Sequence, residues 1–286
     1  MNILKSLFIS GFMMLCAAIV GVAVWKLFQN GGPIGWIGVI LTSAPFLLVI
    51  SWLMLIKSAA RTSAHFPVLN IVGAVGVGLA GWSWFRQDVG ISAPILAVSG
   101  WTGFLLYAYW YSRLDRVPSS KLVIGRKLVE FVLKDVDGNS VDSTRLIGTP
   151  TILMFYRGNW CPLCMAQIKE LADRYRDLEA LGTRIALISP QPHTNTVELA
   201  KKFDVNFEFF TDEGNAAARM LGIESANGIP MGMQVLGYNS ETVLPTVIIT
   251  DRTGKVIWTH ETDNYRIRPE PDLFLEVLRS NGILSK

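Results

Sequence analysis

Thr151-Ile152-Leu153-Met154-Phe155-Tyr156-Arg157-Gly158-Asn159-Trp160-Cys161-Pro162-Leu163-Cys164 is the stretch that decides the fold. Its first six residues are rich in β-branched and aromatic side chains, the composition of a buried strand. Beyond Cys164, Met165, Ile168, Leu171, Tyr175 and Leu178 recur at three- and four-residue steps until Gly182. That spacing predicts an amphipathic helix over 162–181 with a glycine stop. Pro162 suits the first helical position, which places Cys161 near the N-cap and Cys164 in the first turn. Residues three apart on a helix have β-carbons about 5–6 Å apart, and a small backbone adjustment brings two cysteines there within disulfide range. Unpaired N–H groups and the positive end of the helix dipole favour a thiolate at this place. Such a site lowers a cysteine pKa from about 8.5 to about 3.5–7.5. The stretch predicts a dithiol oxidoreductase.

Outward from this segment the sequence alternates. Glu130–Lys134 and Ser140–Asp142 flank Asp135-Val136-Asp137-Gly138-Asn139 and predict a hairpin. After the central helix come a strand at 184–189, a helix at 194–203, a short strand at 207–210 and a helix at 214–221. Strands at 246–250 and 255–259 are joined by Asp251-Arg252-Thr253-Gly254, and a last helix covers 271–280. Strand–helix–strand alternation ending in a hairpin and a helix predicts an α/β sandwich around a central mixed sheet.

The 286-residue chain changes character near residue 112. Residues 1–112 hold six charged side chains, Lys5, Lys26, Lys57, Arg61, Arg86 and Asp88. Between them lie uncharged stretches at 6–25, 27–56, 62–85 and 89–112, each able to supply the ~20 apolar residues that cross a bilayer. Four transmembrane helices are expected, with the first retained, since no small-x-small cleavage pattern follows it. Gly73, Gly76, Gly78 and Gly81 line the third span, an arrangement that permits close helix packing. Residues 113–286 carry 21 Lys+Arg and 22 Asp+Glu, so the net charge of +3 comes from the membrane half and gives no reason to expect nucleic acid. The organisation read here is a membrane region over 1–112, a linker over 113–121 and a redox domain over 122–286. Lys5, Lys57, Arg61, Arg113 and Arg116 lie on one side of an even number of spans, against Lys26 and Arg86 on the other. The positive-inside rule then puts the redox domain on the cytoplasmic side, with the extracytoplasmic side as the alternative.

Phe155 to Cys164 resembles the active-site segment of thioredoxin-fold proteins, in the peroxiredoxin-like branch of the alkyl hydroperoxide reductase/thiol-specific antioxidant (redoxin) family. Leu187-Ile188-Ser189-Pro190-Gln191, Phe210-Thr211-Asp212 and Pro245-Thr246-Val247-Ile248-Ile249 leading to Asp251 and Gly254 extend the resemblance over residues 122–280. It implies a thioredoxin-like sandwich and catalytic cysteines Cys161 and Cys164. Two positions depart from peroxiredoxins. Counted from Phe155, Cys164 occupies the peroxidatic slot and Cys161 stands where those enzymes place a threonine, while Pro245 replaces an arginine. Pro245 resembles the cis-proline of thioredoxins, so a cis Leu244–Pro245 bond packed against the cysteines is expected. The thioredoxin comparison makes Cys161 the nucleophile, and the peroxiredoxin comparison makes it Cys164. Trp160 resembles the tryptophan preceding the thioredoxin cysteines, Pro162 opens the helix, and Arg157 stands at the strand end where a cation lowers a thiol pKa. Asp263, Tyr265 and Arg268 follow the family pattern without an assigned role, and His260 reads as a surface residue.

No second CxxC accompanies the pair, and His65, His193 and His260 are the only histidines, so neither a zinc site nor any other cofactor is expected. Cys16 is the one cysteine of the membrane half; a transmembrane disulfide relay needs a pair there. The expected activity is thiol–disulfide exchange by a membrane-anchored Cys161/Cys164 pair, acting with a disulfide-bearing protein or small thiol and an electron donor. Hydroperoxide reduction is the same-fold alternative. A non-catalytic membrane module that binds a partner or a metal is the alternative from a different class.

Overall fold

The computed structural model describes residues 3–29, 31–56 and 59–283, with the side chain of residue 56 left out. Asn30 and Lys57, used above for a loop and for the charge count, lie outside the described residues. The chain divides into two compact units, one of Leu4–Ile56 with Thr62–Arg113, the other of Met1–Ile3, Lys57–Arg61 and Leu114–Lys286.

The first unit is helical: α1 (Ile3–Gln29), α2 (Ile34–Ile56), α3 (Pro67–Phe85) and α4 (Ser92–Leu106), with a π-turn at Tyr107–Tyr111. Three of these, α1, α2 and α3, are long and apolar enough to cross a membrane. The expected fourth span is corrected to a shorter element. Its α-helix has 15 residues, about 22 Å at ~1.5 Å per residue, and the chain then widens into the π-turn. The glycines of α3 divide by face. A β-carbon on Gly76 would lie 2.5 Å from the carbonyl oxygen of Gly38 in α2, and one on Gly73 would meet Trp101, whereas Gly78 and Gly81 face open space. Gly76 therefore lets the α2 and α3 backbones approach, and Gly73 makes room for the Trp101 ring.

The second unit is built on a seven-stranded mixed sheet in the order β2-β1-β5-β4-β3-β8-β9. Its strands are β1 (Val132–Lys134), β2 (Ser140–Asp142), β3 (Thr151–Phe155), β4 (Arg184–Ser189), β5 (Glu208–Thr211), β8 (Thr246–Thr250) and β9 (Val256–Glu261). A two-stranded ribbon of β6 (Glu224–Ser225) and β7 (Thr242–Val243) stands apart. β3 pairs parallel with β4, β4 parallel with β5, and β8 antiparallel with β3 and β9. This is the expected thioredoxin-like sandwich. Its helices are α5 (Pro162–Asp173), α6 (Tyr175–Ala180), α7 (His193–Ala200), α8 (Ala216–Met220) and α9 (Pro271–Ser280). The helix expected as one piece over 162–181 breaks at Arg174, whose φ of −103° and ψ of 10° leave the helical region. Arg174 there forms ion pairs with Asp177 and with Asp272.

Alternation along β3 assigns its faces. Leu153 and Phe155 enter a buried cluster with Ala186, Ile188, Phe210, Ile248 and Val256, closed by Ala217 and Ala218 of α8 and by Leu221 just after it. Ile152, Met154 and Tyr156 alternate to the opposite face. Asp212 holds α8 in place, its carboxylate oxygens accepting from the N–H groups of Ala217 and Ala218 at 2.8 and 2.9 Å.

Residues 114–119 are bonded to this unit. Leu114 N donates to Asp263 O at 2.6 Å and Arg116 N to Asp263 Oδ1 at 2.8 Å. The Arg116 guanidinium reaches Glu261 Oε2 at 2.7 Å, Thr246 Oγ1 at 3.0 Å and the Pro245 carbonyl at 3.0 Å. Ser119 N donates to the same Glu261 oxygen at 2.8 Å. The Arg116–Glu261 pair is almost wholly buried.

Candidate active site

The carboxyl ends of parallel strands are where α/β sheets gather functional groups, and β3 delivers the CxxC segment there. Tyr156 N still donates to Ile188 O at 2.9 Å, so the sheet holds the chain one residue past β3. Gly158 then takes φ +140°, and a β-carbon on it would meet the Trp160 indole at 2.7 Å. Only glycine lets the chain turn under that ring. Cys161 is the N-cap of α5 with φ −86° and ψ 108°, and Pro162 stands at its first position. Cys164 follows in the first turn.

The two cysteines are free thiols with sulfurs 2.9 Å apart. Cys161 is 2% exposed and Cys164 0%. Two buried arginines, Arg157 and Arg268, act on them. Arg268 Nη2 lies 3.7 Å from Cys164 Sγ, and its Nε donates to Tyr265 O at 2.8 Å. Arg157 lies over the Trp160 ring at 4.7 Å and the Tyr265 ring at 5.5 Å, and donates to the Gly228 carbonyl. Burial pushes the Cys164 thiol up. The hydrogen bond from Cys161, the charge of Arg268, the Arg157 N–H and the Arg157 charge outweigh burial and bring Cys164 down to about 6. Cys161 moves well above the ordinary cysteine value, because its hydrogen is held by Cys164, burial disfavours its charge and a second anion would face the first. These opposite shifts favour ionisation of Cys164 before Cys161.

A polar scaffold backs the thiolate. Tyr156 is fully buried, and burial followed by the Cys164 charge pushes its phenol far up, so it remains protonated. Gln191 Nε2 donates to the Tyr156 phenol oxygen Oη at 3.1 Å and to Thr196 Oγ1 at 3.1 Å, while Gln191 Oε1 accepts from Asn159 N at 2.8 Å. Tyr238 donates to the Asn159 side chain and accepts from Asn195 Nδ2 at 2.9 Å. These bonds fix Tyr156 and Asn159 from two other segments, through Gln191 and Tyr238.

Arg157, Trp160, Cys161, Pro162 and Cys164 therefore form one continuous turn. Pro245 stands at the same end of the sheet, one residue before the Phe155–Thr246 pair. The expectation of a cis bond there is corrected, since no cis peptide bond occurs among the described residues. The Pro245 carbonyl and the Thr246 hydroxyl are both bonded to Arg116, which fits a bonded strand start in place of a thioredoxin-like substrate turn. His260, expected at the surface, is half-buried, with Nε2 lacking a partner among the described residues and burial lowering its pKa. Arg268, Tyr156 and Gln191 were not singled out for the site by sequence reasoning. Arg268 lies 104 residues from Cys164, and only its place in the family pattern marked it.

Residues 124–259 match the AhpC/TSA family model. The chain is 26% identical over 164 residues to a thiol-disulfide oxidoreductase ResA of Bacillus cereus, a match covering 57% of this chain and 81% of that protein. It is 27% identical over 139 residues to a chloroplastic peroxiredoxin Q of Populus jackii, covering 46% of this chain and 65% of that one. Among solved structures, the peroxidoxin BcpB of Mycobacterium tuberculosis is similar with a TM-score of 0.46 at 18% identity, covering 55% of this chain and 96% of that one. Residues 124–259 are thus similar to the AhpC/TSA family, and the chain is similar to a thiol-disulfide oxidoreductase and to a peroxiredoxin Q, in a molecule that also holds helices able to cross a membrane.

Proposed function

We propose that this protein is a membrane-anchored thiol oxidoreductase in which Cys161 and Cys164 cycle between dithiol and disulfide, with Cys164 as the attacking thiolate. The observation that carries this is the Arg268 guanidinium 3.7 Å from Cys164 Sγ, with Cys161 Sγ waiting 2.9 Å away. Against a hydroperoxide, the Cys164 thiolate attacks the terminal oxygen, the O–O bond breaks, the hydroxyl stays on sulfur as a sulfenic acid, and the departing alkoxide takes a proton from water to leave as the alcohol. Cys161 then attacks that sulfur, water departs and the disulfide closes. Two electrons from a dithiol donor restore the pair. The deep burial of Cys164 favours a small oxidant such as a hydroperoxide, and the trans Pro245 withdraws the main argument for thioredoxin-like capture of a polypeptide. The second reading is exchange with a disulfide substrate, in which Cys164 attacks one sulfur and Cys161 resolves the mixed disulfide. The CxxC spacing and the resemblance to a thiol-disulfide oxidoreductase support it. The dithiol–disulfide cycle is common to both.

The reduced full chain is expected to consume one equivalent of hydrogen peroxide and lose two hydrogens on the peptide bearing both cysteines. In Cys161→Ser a sulfenic acid should be trapped by dimedone on Cys164, and Cys164→Ser should consume none. Trapping on Cys161 in the Cys164→Ser protein would reverse the roles. Exchange without peroxide consumption would leave the second reading alone. The basic residues Lys5, Lys57, Arg61, Arg113 and Arg116 favour a cytoplasmic redox domain.

A further inference from the structure

Arg61 falls between α2 and α3 in the chain, yet it belongs to the compact unit that holds the redox site. Its guanidinium grips the Glu170 carboxylate through both terminal nitrogens, Nη1 at 3.3 Å from Oε1 and Nη2 on Oε2. Its Nε donates to the Arg268 carbonyl at 3.2 Å, and Nη1 also pairs with Glu270 Oε1 at 3.4 Å. Glu170 lies in α5, the helix whose first turn carries Cys164. One side chain thus joins the cysteine-bearing helix to the residue whose own guanidinium faces Cys164. An isolated exposed ion pair contributes little. A forked carboxylate contact with a third bond to a carbonyl fixes geometry as well as charge.

We infer that Arg61 is a positioning residue of the redox centre: by tying α5 to the Arg268 backbone, it sets the approach of the Arg268 guanidinium to Cys164. The inference rests on the assignment of Cys164 as the thiolate. Geometry and charge make different demands here. Arg61→Lys keeps the cation and loses the fork, which a lysine ammonium does not reproduce. Glu170→Gln removes an anion, and charge alone would then ease ionisation of Cys164. Positioning through the fork demands the opposite, because Arg268 is then held less firmly.

The test is the pH profile of Cys164 alkylation by iodoacetamide in the full chain carrying Cys161→Ser, read by mass spectrometry of its peptide, with circular dichroism confirming the fold. Arg61→Lys and Glu170→Gln should both move the inflection upward, with labelling at pH 6.5 about threefold slower or more. A profile for Arg61→Lys that superimposes on the parent, or a downward shift in Glu170→Gln, would overturn the positioning role while leaving Cys164 as the thiolate. A parent profile with no inflection below that of a free cysteine would overturn both.

Discussion

Arg268 is the guanidinium that faces Cys164, its Nη2 3.7 Å from the sulfur. Pro245 is one of the two positions at which the sequence departs from the peroxiredoxin pattern, and the guanidinium facing Cys164 comes from the turn after β9. Its removal has a definite sign. Cys164 ionises at about 6 in the fold, below the ~8.5 of an unfolded cysteine. The thiolate therefore contributes stability that is fully present above the unfolded value and is lost as pH falls through about 6. Arg268→Gln should raise the inflection, slow Cys164 alkylation at pH 6.5 by about tenfold, and reduce the stability gained between pH 6 and 9. Thiolate absorbance at 240 nm against pH reads the shift directly, and an unchanged inflection would remove Arg268 from the site. The cysteine helix start was legible from Pro162 and the strand before it, because both signals are local. Arg268 was not, because its partner lies on the far side of the domain's sequence.

Elements follow the same division between local and distant causes. The β-branched runs at 151–156 and 246–250 and the Asp-Gly turns gave the sheet its strands, and their alternation is read from sequence alone. The break at Arg174 was not legible, since one of its ion-pair partners, Asp272, lies in α9. In α3 the four glycines look alike in sequence, and only the packing separates them. Gly76→Ala should lower the thermal midpoint in detergent by the equivalent of about 1–3 kcal/mol, because its methyl would overlap the Gly38 carbonyl oxygen. Gly78→Ala should leave the midpoint unchanged or raised, since nothing lies within 4 Å of the new methyl. Equal losses in the two variants would refute the α2–α3 contact. At the sheet edge, Glu261→Ala leaves Arg116 buried beside carbonyl and hydroxyl oxygens and the more distant Asp263. It should cost roughly 3 kcal/mol, seen as a lower midpoint for the redox unit in differential scanning calorimetry. A midpoint within error of the parent would mean that the pair contributes nothing.

For the whole molecule, composition changes near residue 112, and one compact unit takes in Met1–Ile3 and Lys57–Arg61 as well as Leu114–Lys286. Helix number was less legible, because an uncharged stretch sets an upper bound on a span while packing sets its length: α4 yields to a π-turn after Leu106. Orientation is carried by a few basic residues, so a reporter fused after Lys286 is the appropriate measurement. Cytoplasmic fluorescence without alkaline phosphatase activity is expected, and the reverse pattern would place the redox domain outside. Burial of both sulfurs, described above for its effect on ionisation, also governs kinetics. A thiolate with no surface of its own reacts only in the moments when the turn over it parts, so opening becomes a step in series with chemistry. With bulky thiol reagents the observed rate should climb with concentration and then level off at the opening rate. Small reagents need only a slighter and faster opening, so they should stay proportional to concentration over the same range, making reagent size the dial that reads the clock of this fold.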